Sequence, residues 1–524
     1  MESGTVETST EANGSSGANG AATVERIEVL NPANGSLVDS IQVDTPETIA
    51  ATVARVRANQ AEWEAIGIQG RYHWLGKLRD WLLDNIEEIS DTVQAETGKV
   101  RGDIAAELFY VTDLINFYGT NAAKFIGDEA VRPHSPLIAS KKLTIRYRPH
   151  PVVGVISPWN FPLAMGLGDS IPALQAGAAV VVKPSEFTPL SLIQIIGAWK
   201  KEIGAPDVFD CALGTGEAGS TLVDHVDCVQ FTGSDRTGRK VMARAAETLT
   251  PVSLELGGKD PMIVLADADI DRAANAAAWG GMYNAGQVCL SVERIYVEEP
   301  VYDEFVSKLI KRVGGLRQGT DGRKPEKDVG AMTSPNQSTI VEEQVNDALA
   351  NGARALTGGK KAEGEGDYFE PTVLVDVDHS MKIMRDETFG PVVGVMKVRD
   401  SEEAVRLAND SRYGLAASIF GDKDRAEKLA RRIEAGSVNV NDVITNMLAM
   451  GVPMGGWKQS GIGFRHGDYG IKKYCRPESI VVTRFGGKNE PAWYPYTKGR
   501  RRLVNRVATA FNARDLKRRF GLRG

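Results

Sequence analysis

The chain has 524 residues, a formal net charge of −6, 42% hydrophobic residues and 25% charged residues. This length exceeds what one compact core normally holds, so the sequence predicts two or more domains of ordinary globular composition. The spacing of the cysteines excludes a disulfide scaffold and favours a reducing compartment, because these four residues are scattered and form no CxxC pair: Cys211, Cys228, Cys289 and Cys475. No histidine stands at metal-ligand spacing from a cysteine or another histidine, so no structural metal is expected.

Residues 1–22 are mostly small and polar, with no basic start and no apolar run. This composition predicts a disordered tail and not a secretion signal. No stretch approaches the roughly 20 apolar residues that span a bilayer. We therefore expect a soluble protein of the cytoplasm.

Strand and helix patterns alternate after the tail. A strand-like segment at 24–29 is followed by helical periodicity at 46–65 and 70–117. Buried-strand runs and helical patterns then alternate at 152–157, 166–176, 179–183 and 190–203, and a second series occupies 261–265, 270–283, 294–297, 393–398 and 437–440. Such alternation predicts βαβ crossovers, and hence two α/β domains with parallel sheets. Segments near 130–148 and 472–485 are candidate strands outside both domains.

Residues 498–524 differ from the rest, with ten Lys or Arg and a single acidic residue, Asp515. Leu503, Val507 and Phe511 recur at every fourth position, which indicates one face of a helix. A basic amphipathic helix can lie on an anionic membrane surface. A solvated tail packed loosely on the body fits the composition equally well, whereas nothing else in the chain supports a nucleic-acid role.

Cys289 ends the segment Asn284–Cys289, which contains a glycine turn, and Glu255 lies 34 positions earlier, before Gly257 and Gly258. A thiol and a carboxylate near glycines can form a catalytic site, since glycine lets backbone and ligand approach closely. A free cysteine is more often a small buried hydrophobe. The residues alone therefore leave Cys289 as one candidate among other interpretations.

The chain contains five further motifs, at 156–162, 183–186, 231–238, 387–391 and 453–461, in addition to the segments 254–258 and 286–289. Through these seven motifs the chain resembles the aldehyde dehydrogenase superfamily from about residue 25 to residue 485. The resemblance implies an aldehyde-dehydrogenase-like α/β fold with a Rossmann-type cofactor domain, a catalytic domain and a small β oligomerisation extension.

The resemblance also implies domain boundaries. An NAD-binding domain is expected at 23–129 and 149–256, a catalytic domain at 257–458, and oligomerisation strands at 130–148 and 472–485. Those strands imply a homodimer or homotetramer.

The resemblance assigns three catalytic roles. Cys289, as thiolate, attacks the aldehyde carbon, because the thiolate is the nucleophilic form. The side-chain amide of Asn160 and the backbone N–H of Cys289 stabilise the oxyanion. Glu255 then activates water to hydrolyse the thioester, so a free acid is the expected product and not an ester of coenzyme A.

The resemblance implies NAD as cofactor, with NADP as the alternative. Lys183 and Glu186 are expected to hold the adenosine ribose, where a carboxylate accepts from a free 2′-OH and repels a 2′-phosphate. The pyrophosphate is assigned to the helix start at Gly233, Ser234 and Gly238. The remaining expected contacts are Glu387 at the nicotinamide ribose, Phe389 beside the ring, and Ile156, Ser157, Trp159, Ser185, Leu256 and Gly257.

A literal GxGxxG at 214–219 competes for the cofactor. It is the Rossmann fingerprint when it follows a strand and opens a helix. The acidic residue expected about 20 positions later falls inside another motif, so a tight turn is the other interpretation.

The resemblance leaves the substrate open. Succinate-semialdehyde dehydrogenases often carry an arginine at the positions of Tyr283 and Gly168, and some carry a second cysteine at that of Ser291. An apolar, medium- or long-chain aliphatic aldehyde is therefore favoured, with succinic semialdehyde as the alternative, and a catalytically silent structural paralogue or a cysteine hydrolase as alternatives of another class. The expected pocket is lined by Met165, Tyr283, Val288, Leu290 and 446–450.

Overall fold

The structure, a computed structural model, describes residues 25–490 and 493–520, so the predicted disordered tail at 1–22 lies outside the described residues. The helices are α1 Pro46–Ala65, α2 Gly67–Asp84, α3 Ile86–Thr97, α4 Arg101–Ile126, α5 Pro162–Ala176, α6 Leu190–Lys201, α7 Gly216–His225, α8 Asp235–Ala246, α9 Ile270–Met282, α10 Tyr302–Val313, α11 Pro335–Ala350, α12 Ser401–Asn409, α13 Lys423–Ala430, α14 Gly467–Lys472, α15 Lys498–Asn512 and α16 Leu516–Arg519.

The strands form five sheets. They are β1 Arg26–Leu30, β2 Leu37–Gln42, β3 Glu129–Val131, β4 Lys141–Pro149, β5 Val152–Ile156, β6 Ala179–Lys183, β7 Phe209–Cys211, β8 Cys228–Thr232, β9 Val252–Glu255, β10 Asp260–Val264, β11 Val292–Glu298, β12 Arg354–Thr357, β13 Thr372–Val375, β14 Val392–Val398, β15 Tyr413–Gly414, β16 Ala416–Phe420, β17 Ser437–Val440, β18 Trp457–Lys458, β19 Gly461–Ile462 and β20 Cys475–Thr483.

Two large sheets organise the main part of the chain. One has six strands in the order β19-β9-β8-β5-β6-β7, and the other has seven in the order β12-β13-β14-β11-β10-β16-β17. All pairs are parallel except β19 with β9 and β12 with β13. Strands β5, β6, β8 and β10 are buried along their whole length, as expected for parallel sheets covered by helices. The predicted α/β class with two parallel sheets is confirmed.

The helical stretch expected at 70–117 is divided into three helices. Helix α2 ends at Asp84 and α3 at Thr97, where Gly98 adopts a left-handed conformation with φ +72°. A Cβ on Gly98 would lie 2.9 Å from side-chain atoms of both Pro32 and Ala331. Glycine here ends the helix and admits a close contact, a combination that hydrophobic periodicity does not reveal.

A buried carboxylate fixes the start of α5. Glu107 accepts hydrogen bonds from the backbone N–H groups of Leu163 (3.1 Å) and Ala164 (3.0 Å), and it forms an ion pair with the buried Lys99. The Lys99 ammonium also lies 3.9 Å from the ring centroid of Phe161. An anion suits a helix N-terminus, whose N–H groups point outward with a partial positive charge. This contact positions the loop that ends at Phe161.

The described residues divide into two compact units, 25–122 with 149–474, and 123–148 with 475–490 and 493–520. The smaller unit contains the three-stranded sheet β20-β4-β3, in which β3 and β4 are antiparallel, and helices α15 and α16. The predicted extended segments near 130–148 and 472–485 thus contain strands of one sheet. Within the described residues, none of the helices is both long and apolar enough to cross a membrane.

Replacing Glu107 with alanine is expected to destabilise the protein by roughly 3–5 kcal/mol, because Lys99 would remain buried without its counter-ion. Urea unfolding followed by tryptophan fluorescence measures the change. The matched control is Glu247→Ala on the exposed end of α8, where we expect less than about 0.5 kcal/mol. Equal midpoints for the two variants would contradict this account of the Lys99–Glu107 pair.

Candidate active site

Several predicted site residues lie at one edge of the six-stranded sheet. Strands β6, β5, β8 and β9 run parallel, and the register pairs Ile156 with Lys183 and Thr232 with Glu255. The carboxyl ends of these strands therefore meet at the same edge. In open α/β sheets this edge is the usual place for a bound ligand.

Two strand ends at this edge carry polar side chains. The Lys183 ammonium donates a hydrogen bond of 2.9 Å to Glu186, whose carboxylate is partly exposed, and Ser185 lies between them with its hydroxyl accepting from the N–H of Phe187. Nearby, the buried hydroxyl of Ser157 has no hydrogen-bond partner among the described residues. A ligand that bears hydroxyl groups would satisfy this atom and the exposed carboxylate.

Helix α8 begins at the end of β8. Ser234 is its N-cap and accepts a hydrogen bond of 3.3 Å from the N–H of Thr237, and Gly233 precedes it. A Cβ on Gly238 would lie 2.6 Å from the side chain of Leu256, so glycine lets this helix pack closely on the segment after β9. The partial positive charge at such a helix start suits an anion.

Cys289 follows a loop with unusual backbone geometry. Asn284, Ala285 and Gly286 have φ of 51°, 53° and 70°, all in the left-handed region that non-glycine residues rarely adopt. A Cβ on Gly286 would lie 2.0 Å from the carbonyl oxygen of Gly390, so only glycine fits. The loop is held in a strained conformation by the structure around it.

Asn160 helps to hold this loop. Its Nδ2 donates to the carbonyl oxygen of Gln287 at 2.8 Å, and Nδ2 of Asn284 donates to the carbonyl of Asn160 at 3.0 Å. The amide of Asn160 thus lies beside the segment that carries Cys289. An amide nitrogen has two protons, so one donor remains for a ligand.

The thiol of Cys289 lies in largely buried surroundings. Val288 and Leu290 are buried, whereas Cys289 itself is partly exposed. Burial raises the pKa of the thiol to about 12, although the positive charge of Arg465 acts in the opposite direction. The thiol is therefore protonated at neutral pH and needs a base.

Glu255 provides a buried carboxylate at the end of β9. Its Oε1 has no hydrogen-bond partner among the described residues, and its Oε2 lies 3.8 Å from Nη1 of Arg465. Burial raises the pKa of this carboxyl to about 7, while the charges of Arg465 and Lys473 oppose the rise. Such a group exchanges protons readily near neutral pH.

Arg465 belongs to a buried ion cluster that the sequence analysis did not identify. It donates to Asp169 at 3.0 and 2.7 Å, and Asp169 also lies near the ammonium of Lys473 (3.5 Å) and the hydroxyl of Tyr474 (3.3 Å). Burial disfavours ionised Asp169, but the charges of Arg465 and Lys473 hold its pKa below the ordinary value. One feature of the sequence could have indicated this cluster, because Asp169 is the single charged residue in the sequence of α5.

Glu387 faces the glycine pair after β9. Its Oε1 accepts from the N–H of Gly258 at 2.9 Å, and a Cβ on Gly257 would lie 2.3 Å from its other oxygen. A Cβ on Gly258 would also lie 2.5 Å from the carbonyl oxygen of Cys289. Because both residues are glycines, Glu387 and the loop that carries Cys289 can lie directly against the segment after β9. Burial raises the pKa of Glu387 to about 8.

The segment around Phe389 is held by a second buried ion pair that the sequence analysis did not single out. Glu293 accepts from the N–H groups of Thr388 and Phe389 at 2.9 Å, and Lys259 pairs with Glu293 and donates to the hydroxyl of Thr388. The rings of Phe389 and Trp159 meet edge to face, with centroids 5.4 Å apart. The structure thus brings together Trp159 and Phe389, two of the residues that the sequence analysis assigned to the cofactor.

The GxGxxG sequence lies between β7 and α7. Gly214 has φ +146°, and a Cβ there would lie 2.9 Å from the Cβ of Ala218. The N–H of Leu213 donates to Asp44 at 2.7 Å. These features account for Gly214 as a turn residue that opens a helix.

The residues of the expected substrate pocket are mainly apolar and buried. Met165, Tyr283, Val288 and Leu290 are buried, and the ring of Tyr283 lies 5.8 Å from Phe161 and 5.0 Å from Trp279. In the segment 446–450, Asn446 and Met450 are buried and Leu448 is exposed. Among the described residues, no group of three or more His, Cys, Asp or Glu could hold a metal ion.

Comparison with known proteins gives one consistent family. Residues 19–480 match the model described as the aldehyde dehydrogenase family. A relative from a Methylomonas species, named 4,4'-diapolycopene aldehyde oxidase, is 40% identical over 90% of this chain and 88% of its own. A relative from Mycolicibacterium smegmatis, named provisionally as an NADP-linked succinate-semialdehyde dehydrogenase, is 39% identical over 86% of this chain and 87% of its own. The crystal structure of lactaldehyde dehydrogenase from Escherichia coli superposes with a TM-score of 0.83 at 34% identity, covering 87% of this chain and 96% of that one.

Proposed function

Because the chain belongs to the aldehyde dehydrogenase family of NAD(P)-dependent oxidoreductases, we propose that it oxidises an aldehyde to the carboxylic acid through a covalent bond to Cys289. The observation that carries this proposal is the buried Glu255 carboxylate, one oxygen of which has no partner among the described residues and whose pKa is about 7. A structural carboxylate would be expected to have both oxygens bonded. A base for water is expected to keep one oxygen available.

The first covalent step forms a bond between the sulfur of Cys289 and the aldehyde carbon. The thiol proton leaves to solvent water as this bond forms, so this step does not require Glu255. The amide of Asn160 and the backbone N–H of Cys289 donate to the resulting oxyanion, and one such donor typically contributes about 10²–10³ in turnover. Nicotinamide, when bound, would accept a hydride from the carbon that is bonded to the sulfur. Loss of this hydride leaves an acyl group on the sulfur as a thioester.

The second step hydrolyses the thioester. Glu255 takes a proton from water, the oxygen of that water bonds to the acyl carbon, and the bond from carbon to sulfur breaks. Cys289 is regenerated and the free acid is released. Arg465 acts as a positioning residue in this step, because its charge favours the ionised form of Glu255.

The polar groups at the sheet edge fit a dinucleotide. We propose that Glu186 and Lys183 hold the adenosine ribose and that the start of α8 receives the pyrophosphate. NAD is favoured over NADP because the partly exposed carboxylate of Glu186 would repel a 2′-phosphate. NADP is the alternative cofactor, because some relatives are named as NADP-linked enzymes. The other proposed contacts are Ile156, Ser157, Trp159, Ser185, Gly233, Ser234, Gly238, Leu256, Gly257, Glu387 and Phe389.

An apolar aldehyde is the proposed substrate. Most residues of the expected substrate pocket are apolar, and Arg465, the cation near Glu255, is already neutralised by Asp169. A carboxylate on the substrate would find no free partner among these groups. The name of the Methylomonas relative supports a long apolar aldehyde, whereas the mycobacterial relatives support succinic semialdehyde as the alternative.

We further propose a cytoplasmic enzyme that assembles as a homodimer or homotetramer through the strands at 130–148 and 472–485. Strand β20 supports this assembly, because Ile480, Val481 and Val482 are exposed on it. Exposed apolar strands often pair with another chain. A peripheral membrane contact through 498–524 is compatible with an apolar substrate.

Cys289→Ala is expected to abolish NADH formation, while binding of NAD, measured by fluorescence titration, stays close to that of the wild type. Glu255→Gln should still form NADH in a burst of about one equivalent per site and then stall as the thioester, because its amide cannot act as a base. Rapid-mixing absorbance measures the NADH formed, and intact-protein mass spectrometry detects the thioester. Cys211→Ala is the matched control. Normal steady turnover by Cys289→Ala would contradict the mechanism, and an inactive wild type would favour the silent paralogue.

The rate of thioester hydrolysis is expected to depend on the ionisation of Glu255. Its raised pKa means that the base is protonated below about pH 7, so the rate should fall about tenfold per pH unit below that value and level off above it. In Arg465→Gln the loss of positive charge should shift the falling part of this pH–rate profile to higher pH. Arg465→Lys should shift it less. Cys289, Asp169, Lys473 and Tyr110 also interact with the carboxylate and stay unchanged in both variants. A uniform loss of rate at every pH would leave Arg465 with a purely structural role.

A panel of aldehydes tests the substrate. We expect a higher kcat/KM for octanal than for succinic semialdehyde, and a higher one with NAD than with NADP. Glu186→Gln should narrow the preference between the two cofactors without changing the order of the aldehydes. A higher kcat/KM for succinic semialdehyde would establish the alternative substrate.

A further inference from the structure

The described end of the chain is strongly basic. Residues 493–520, which we call the basic extension, contain nine Lys or Arg and a single acidic residue, Asp515. The whole chain carries a formal charge of −6, so the remainder is more acidic still. Positive charge is therefore concentrated in one short segment.

Helix α15 exposes large apolar side chains beside this charge. Leu503 and Phe511 are 54% and 60% exposed, and Val507 lies between them on the same face. Arg501 and Arg502 are exposed around the rest of the helix. Within the segment where a basic amphipathic helix is expected, α15 covers Lys498–Asn512, and its apolar face is exposed.

Aromatic residues precede the helix and are tied to its start. Trp493, Tyr494 and Tyr496 are exposed, and Arg500 donates to the carbonyl oxygens of Trp493 (3.1 Å) and Pro495 (3.3 Å). Trp and Tyr are the residues most enriched where a membrane meets water, because each has an apolar ring and a polar atom. The aromatic segment is thereby held next to the basic helix.

The segment after the helix repeats the same combination. Leu516 and Phe520 are 66% and 75% exposed, and three cations, Lys517, Arg518 and Arg519, lie between them. Soluble monomers seldom expose so many large apolar groups close together. The basic extension thus has apolar and cationic groups available at the same time.

We propose that the basic extension binds the surface of a membrane that contains anionic lipids. The apolar groups would enter the boundary between headgroups and acyl chains, and the cations would contact lipid phosphates. A second copy is a poorer occupant, because pairing like faces would bring the positive charges together. Nucleic acid would satisfy the cations and leave the aliphatic groups exposed. This inference goes beyond the proposed oxidation of aldehydes.

Sedimentation of the full-length protein with vesicles tests the inference. The probes are vesicles of phosphatidylcholine alone and vesicles of phosphatidylcholine with phosphatidylglycerol. The protein should sediment with the anionic vesicles only, and high salt should release it, because salt screens the attraction. The readout is independent of which aldehyde the enzyme oxidises, so it remains valid if the proposed substrate is wrong.

Two double variants separate charge from apolar contact. Arg501→Gln with Arg502→Gln should weaken binding roughly fivefold per arginine, since each basic residue near such a surface contributes about 1 kcal/mol. Leu503→Gln with Phe511→Gln should weaken it by at least about tenfold, because apolar burial is lost. The matched controls are Arg399→Gln with Arg431→Gln, and Leu249→Gln, all at exposed positions outside the basic extension.

Three results would overturn the inference. They are equal sedimentation with neutral and anionic vesicles, no sedimentation with either, and unchanged binding by both double variants. If the double variants change the mass of the assembly in analytical ultracentrifugation but do not change vesicle binding, the apolar face of α15 would be assigned to a second copy. Binding to an oligonucleotide with no binding to vesicles would assign it to nucleic acid.

Discussion

The buried ion pair between Asp169 and Arg465 is the interaction on which the candidate site depends. It joins α5 to the segment after β19, and it places a cation 3.8 Å from the carboxylate of Glu255. Removing either partner would leave the other charged and desolvated, which is far more costly than losing a surface pair. The same charges moderate the pKa of Glu255, so the stability of this region and the proposed base share one set of residues.

Close backbone approach is the second constraint. The glycines at 257 and 258 lie between Glu387 and the carbonyl of Cys289, and Gly286 lies against Gly390. Side chains at these positions would push Glu387 and the Cys289 loop away from the segment after β9. The residues that the two large sheets place in the site would then lie further apart. The left-handed loop before Cys289 adds strain that the surrounding hydrogen bonds from Asn160 and Asn284 offset. Such strain is common at sites where a group must be held for reaction.

Much of the fold and of the candidate site could be predicted from local patterns. Alternating strands and helices indicate parallel sheets, and parallel strands necessarily bring Ile156, Lys183 and Glu255 to one edge. Other features escaped prediction because they depend on residues far apart in the chain. Arg465 and Asp169 are separated by 296 positions, and no local pattern links them. The break at Gly98 depends on contacts with Pro32 and Ala331, which are equally remote in sequence.

The sequence by itself determined the α/β class, the candidate thiol and carboxylate, and the basic amphipathic end of the chain. These follow from composition, periodicity and collinear motifs, which are local properties. Only the tertiary structure decided that Glu255 is buried with an unpartnered oxygen, that Arg465 and Asp169 lie behind it, and that Leu503 and Phe511 remain exposed. Burial, dielectric surroundings and pKa depend on which distant segments pack together, so they appear only when the chain is folded.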